Sequence, residues 1–150
     1  MNKFLKFNPF EHIEQFSLNE SVVSCKEASA AKNIPLNNEL KSLILKTSIG
    51  LYLLNIPGNK KANLRLVKKT INASEAYLAD KETLEKLQVS AGTVTPLLKQ
   101  IWELPQLLSS DVLLLKYIST NAGVHNKYII FEPSLFLTHP NIIIGTFTKE

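Results

Sequence analysis

The chain has 150 residues, 45% of them hydrophobic and 20% charged, which suits one folded domain with a single core and excludes a disordered chain. Seventeen Lys and Arg against thirteen Asp and Glu leave a formal charge of +4, a mild cation excess that suits an anionic partner such as RNA; Arg65 is the sole arginine, so attraction to phosphate rests on lysine point charges. The single cysteine, Cys25, excludes an intrachain disulfide, and no segment approaches the roughly 20 apolar residues needed to span a bilayer.

In chain order, residues 1–9 contain neither a long apolar run nor a small-residue cleavage site, so they do not read as a secretory leader; with the lone cysteine this makes the cytoplasm the expected compartment. Residues 10–16 fit a short helix and an edge strand equally. Ser24-Cys25-Lys26-Glu27 has capping-box spacing and predicts a helix through Ala28, Ala30 and Ala31 that stops near Asn33-Ile34-Pro35. Residues 40–47 read as a strand, Ser48-Ile49-Gly50 as a turn and residues 51–56 as the returning strand of a hairpin; Pro57-Gly58-Asn59-Lys60 is a second turn. Asn63 is placed to cap a helix carrying Leu64, Leu66, Val67 and Ile71, residues 75–78 suggest a short strand, and Asp80 is placed to cap a helix with Leu84 and Leu87 on its buried face. A loop over 92–96 follows, then an apolar run over 101–108 broken at Pro105. Residues 111–118 and 127–131 have strand composition, 133–137 look like the start of a short helix, and 141–147 form a β-branched run. Helices and strands mix without β-α-β alternation, which favours an α+β domain with a curved mixed sheet over a doubly wound one. No repeat, low-complexity tract or linker divides the chain, so residues 1–150 are expected as one domain.

Common catalytic signatures are missing. His12, His125 and His139 lie far apart in the chain and Cys25 has no paired neighbour, so neither a metal nor another cofactor is expected. Cys25 falls in the first turn of a predicted helix, where a small buried residue is the ordinary reading. Two segments about fifty residues apart carry more. Lys41 sits near the start of a strand on the same side as Leu43 and Leu45, where an ammonium needs water, a partner or a ligand. Gly92-Thr93-Val94-Thr95-Pro96 is a loop able to offer backbone N–H groups to a carbonyl or phosphate. Taken singly, a lysine that reaches solvent and an ordinary loop explain both.

In order and spacing, these segments resemble the YbaK / prolyl-tRNA synthetase-associated family of aminoacyl-tRNA editing domains. The resemblance runs over residues 22–137. It takes in Lys41-Ser42-Leu43, the Pro57-Gly58-Asn59-Lys60 turn, Asn63-Leu64-Arg65-Leu66-Val67, Leu78-Ala79-Asp80-Lys81-Glu82, the loop from Gly92 to Pro96 and Asn121-Ala122-Gly123-Val124-His125-Asn126. Asp111, which follows the Leu104-Pro105 pair, is a displaced counterpart of the family's aspartate. The resemblance implies a distorted mixed β-barrel-like sheet flanked by helices. It implies a metal-independent hydrolase for the ester between an amino acid and the terminal adenosine of mischarged tRNA, acting as a free-standing protein. By the same resemblance Lys41, Gly92 and Pro96 would be catalytic, and Thr93, Val94, Thr95, Gly123, His125 and Asp111 would contact substrate. The implied partners are the acceptor end of an aminoacyl-tRNA and an aminoacyl-tRNA synthetase. The alternative is a non-catalytic tRNA- or synthetase-binding module on the same scaffold.

Overall fold

The Ser24 hydroxyl accepts the Glu27 N–H at 3.1 Å while the Glu27 carboxylate takes the Ser24 N–H at 3.1 Å, so the capping box closes as its spacing predicts. The structure, a computed structural model, describes residues 15–149; the leader reading of residues 1–9, His12 and most of the 10–16 segment lie outside the described residues. Strand β1 is Gln15–Ser17 and helix α1 is Cys25–Lys32, ending at Asn33 in the left-handed conformation (φ 55°) just before Ile34-Pro35. There follow β2 (Leu40–Thr47), β3 (Gly50–Pro57), β4 (Lys61–Ala62), α2 (Leu64–Ile71), β5 (Ala76–Leu78), α3 (Lys81–Lys86) and α4 (Lys99–Trp102). Strands β6 (Gln106–Ser109), β7 (Ile118–Asn121), β8 (Lys127–Phe131), β9 (Ile142–Gly145) and β10 (Thr148–Lys149) complete the described chain. Asn63 and Asp80 cap α2 and α3, accepting from Leu66 N–H at 3.2 Å and Thr83 N–H at 2.8 Å.

The largest sheet is mixed, in the order β5-β2-β3-β6-β9; β1-β8-β7 form a second sheet and β4-β10 a two-stranded ribbon. One face of the large sheet packs Leu45, Leu54, Ile56 and Leu107 against Val67 and Ile71 of α2 and against Phe147. The other packs Ile44 and Leu53 against Val89, Leu98 and Ile101. A third cluster, built on Leu40, Trp102, Leu108, Ile118, Phe131 and Phe136, joins the two larger sheets. The α+β class therefore holds, but the sheets stay open among the described residues. β5 has three residues and pairs only with the Leu45–Thr47 end of β2, and the residue ahead of β2, Glu39, makes a single isolated bridge to Ser119 of β7. The barrel-like closure implied by the resemblance is not made because the edge strand is too short to continue the ladder.

One local expectation changes, and another holds. Residues 111–118 do not form a strand: Ser110–Leu114 is a 3-10 turn and β7 begins only at Ile118. The Ser109 hydroxyl donates to the Asp111 carboxylate, and the Leu115 N–H closes on the Val112 carbonyl at 3.2 Å, which turns the chain. The 101–108 run divides at Pro105, which separates α4 from β6 and gives its carbonyl to the Leu53 N–H at 2.9 Å.

Candidate functional site

The short reach of β5 creates the site. Ile44 gives its carbonyl to the Ala79 N–H at 2.9 Å, and Glu39 gives its carbonyl to the Gly58 N–H on the β3 side at 2.7 Å. Backbone groups alternate along a strand, so the N–H and C=O of Ser42 face the open edge of β2. A cavity of about 370 Å³ lies along this edge. Five consecutive β2 residues, Leu40 to Ile44, form one wall; Val23, Ser24 and Cys25 at the start of α1 form another. Leu78, Ala79 and Leu84 close one end, and Ala91, Gly92, Val94 and Asn121 the other. Among the described residues Lys41 is the only charged one in this lining.

Lys41 lines the cavity while its ammonium donates to the Lys60 carbonyl at 2.7 Å, which leaves two of its three N–H donors uncommitted by that bond. The neighbouring strand lysine, Lys46, is exposed and five residues on, hence on the opposite face. Gly92 and Val94 also line the cavity, and their N–H groups have no partner among the described residues. Thr93 does not share this role: its N–H and hydroxyl both bond the Ser90 carbonyl, at 3.0 and 2.9 Å, and staple the turn that presents Gly92. Thr93, Gly123 and His125 line a separate open hollow of about 490 Å³. Thr95 and Pro96 are buried outside both spaces, and Asp111 lies beside Ser109, also outside both. The two expected loops do meet, through a residue the sequence reading quoted without selecting: Asn121 donates to the Val94 carbonyl at 3.0 Å and accepts the Gly123 N–H at 2.8 Å. Ser24, Cys25 and Ser42 were likewise not selected. The capping box and the Lys-Ser-Leu segment contain them, but only the fold brings these segments together.

Beneath the cavity a void of about 40 Å³ shares the Val23–Cys25 wall, Leu40, Gly92 and Asn121, and adds Lys32 and Glu39. Lys32 Nζ donates to Glu39 Oε1 and to the Ser119 hydroxyl, each at 2.8 Å, and sits 4.5 Å from the Tyr128 ring centroid. Burial lowers the pKa of Lys32 and raises that of Glu39, each opposed by its partner. Burial, followed by the Glu39 charge, raises the Cys25 thiol, which donates to the Leu40 carbonyl at 3.8 Å and is thereby held as a thiol rather than a thiolate. From Ser42 a polar chain runs inward: its hydroxyl donates to Asn55 Oδ1 at 2.8 Å, and the Asn55 amide donates to Gln106 Oε1 at 2.9 Å. His139 is buried against Trp102, its Nδ1 accepting the Asn141 N–H at 2.9 Å. Among the described residues no three of His, Cys, Asp and Glu gather to hold a metal ion.

Open mixed sheets, with a mostly apolar cavity along one strand edge, make this a mixed α+β domain. A family model for the aminoacyl-tRNA editing domain matches residues 19–137, and the chain belongs to that family. The solved structure of hypothetical protein APE2540 superposes with a TM-score of 0.82 at 19% identity, covering 91% of each chain. A candidate trans-editing enzyme for prolyl tRNA synthetase superposes with a TM-score of 0.79 at 21% identity, covering 95% of this chain and 90% of that one. A candidate signal transduction protein from Marinobacter aquaeolei VT8 gives a TM-score of 0.65 at 16% identity over 79% of this chain and 26% of its own, so the fold also occurs inside a longer chain. These likenesses show a shared fold. No curated protein matches the sequence significantly. Among the described residues no helix is long and apolar enough to cross a membrane.

Proposed function

We propose that the cavity along β2 hydrolyses the ester between an amino acid and the terminal adenosine of a mischarged tRNA, in the cytoplasm and without a metal. The observation that carries this reading is that Gly92 and Val94, whose N–H groups have no partner among the described residues, line one cavity with the open Ser42 edge and Lys41. An aminoacyl ester is already activated, so placing it beside a water and stabilising the developing oxyanion suffices. The loop N–H groups would take the ester carbonyl, and the Ser42 backbone would align the aminoacyl group. Lys41 would place positive charge near the ester and the terminal phosphate. No covalent intermediate is needed, and the burial that keeps Cys25 protonated argues against a thiolate nucleophile. Among the described residues the lining contains no carboxylate, so a neutral amino-acid side chain fits better than a cationic one. Thr93, Gly123 and His125 would shape the far side of the loop pair rather than touch the ester.

The bond from Lys41 to the Lys60 carbonyl favours one second reading, a module that binds tRNA or a synthetase without hydrolysis, with Lys41 as a structural tie. Deacylation assays over a panel of mischarged tRNAs separate the two. Hydrolysis of esters with neutral side chains is expected, reduced about 100-fold by Lys41→Ala at a stability cost of about 1 kcal/mol. Binding without turnover of any ester in the panel would establish the second reading instead.

A further inference from the structure

The positive charge of this protein is concentrated in one part of the chain. Of the 17 Lys and Arg, seven fall between residues 40 and 74, a stretch with no Asp or Glu, and the other ten face all 13 acids. The remainder of the chain is thus net negative. The fold ties three of these positions to the cavity edge: Lys41 lines the cavity, its ammonium rests on the Lys60 carbonyl, and Lys61, the next residue, begins β4.

Two features of this region work against local stability. Lys61 and Lys149 stand directly opposite one another in the β4–β10 ribbon, both exposed, and like charges at facing positions repel. Arg65 lies in the first turn of α2, which contains no acid, so its charge meets the positive end of the helix dipole. Lys69 lies one turn beyond Arg65 on the exposed side, with Lys68 beside it; these two suit the carboxyl end of the helix and need no further explanation. The ion pairs between described residues, Lys32–Glu39, Lys86–Glu82 and Lys99–Glu103, all lie elsewhere. Lysines facing across a ribbon, and an arginine in the first turn of a helix that offers no acid there, are explained by an external polyanion.

We propose that the β4–β10 ribbon and the outer face of α2 form the surface that seats the phosphodiester backbone of an RNA acceptor stem, with Lys41 marking the point where that surface reaches the cavity. This rests on the reading of the cavity as an aminoacyl-ester site, and it places the stem on the α2 side of the large sheet. Contact is through phosphates and therefore independent of base sequence.

The test uses Arg65→Glu and Lys149→Glu, singly and together, with Lys81→Glu and Lys116→Glu as exposed controls outside the region. Each protein is measured for binding to an uncharged acceptor-stem hairpin across a salt series. It is also assayed for hydrolysis of an aminoacyl-tRNA and of an aminoacylated adenosine that lacks the stem. Both substitutions should weaken hairpin binding and reduce the log–log salt slope by about 1 for each cation removed. They should raise KM for the aminoacyl-tRNA, leaving kcat and hydrolysis of the aminoacylated adenosine unchanged. Lys149→Glu should also keep or raise the melting temperature, because a repelling pair becomes an attracting one, so weaker binding cannot be assigned to unfolding. Arg65→Gln and Lys149→Gln repeat the test if a reversed variant does not fold. Unchanged hairpin affinity in the double variant, or an equal loss in the controls, overturns the proposal. If the wild type hydrolyses no ester, the cavity reading fails while the hairpin arm still decides the surface.

Discussion

Gly92 shows how much of the site depends on one residue. Its φ is +86°, a region that side-chain-bearing residues rarely occupy, and a Cβ there would lie 2.9 Å from Val23 Cγ1 and 3.0 Å from the Val23 carbonyl oxygen. The glycine therefore sets both the direction of the loop N–H groups and its close approach to the segment entering α1. Gly92→Ala should cost about 1–2 kcal/mol in denaturant unfolding and lower ester hydrolysis more than Thr93→Ser, which keeps the hydroxyl that staples the turn. Adding Val23→Ala removes the Cγ1 contact but neither the carbonyl contact nor the φ strain, so the double variant should stay impaired. Recovery of activity in that double variant would show that side-chain crowding alone makes glycine necessary. The importance of Gly92 was legible in the sequence as a glycine opening a loop; its contact with Val23, about seventy residues earlier, was not, because only the folded chain brings them together.

At the scale of elements, the buried Lys32–Glu39 pair ties the end of α1 to the start of β2 and, through Ser119, to β7. The two side chains are only 2% and 3% exposed. Removing one partner leaves a buried charge without compensation, so Lys32→Met should destabilise by about 3–5 kcal/mol near neutral pH, while Lys32→Met/Glu39→Gln should recover most of the loss. The sign of the pH dependence follows from Glu39. Burial raises its pKa in the folded state, so the folded protein holds the proton more tightly than the unfolded chain. The associated stability is fully present below the unfolded pKa and is lost as pH rises through the folded one. Without Lys32 that rise is larger, so the gap between wild type and Lys32→Met should narrow as pH falls toward the carboxylate range. Urea unfolding at neutral and mildly acidic pH measures it, and a constant gap would assign the loss to packing of the lysine stem. The pair was not legible in the sequence: Lys32 sits in the last turn of a helix and Glu39 ahead of a strand, both ordinary places for solvated charge, and burial comes only from the convergence of three elements.

For the whole molecule, the absence of a ligand cluster among the described residues leads to an expected outcome: ester hydrolysis should survive prolonged chelation, and loss with recovery on added zinc would contradict the metal-independent reading. By itself the sequence determined what depends on neighbours in the chain. The capping box at Ser24, the caps at Asn63 and Asp80 and the 40–56 hairpin are all set by local hydrogen bonding and steric limits. The order of its short motifs also carried the family resemblance. The tertiary structure decided what depends on distant segments. It left the β2 edge open at Ser42 because β5 stops after three residues, and it turned residues 110–114 out of a strand through the Ser109–Asp111 contact. It also parted His125 and Thr93 from the cavity that Lys41 and Gly92 share, although all four stand in matching motifs. Side chains close together in sequence motifs can face opposite sides of one loop, and which side becomes a cavity is set by the elements packed against it.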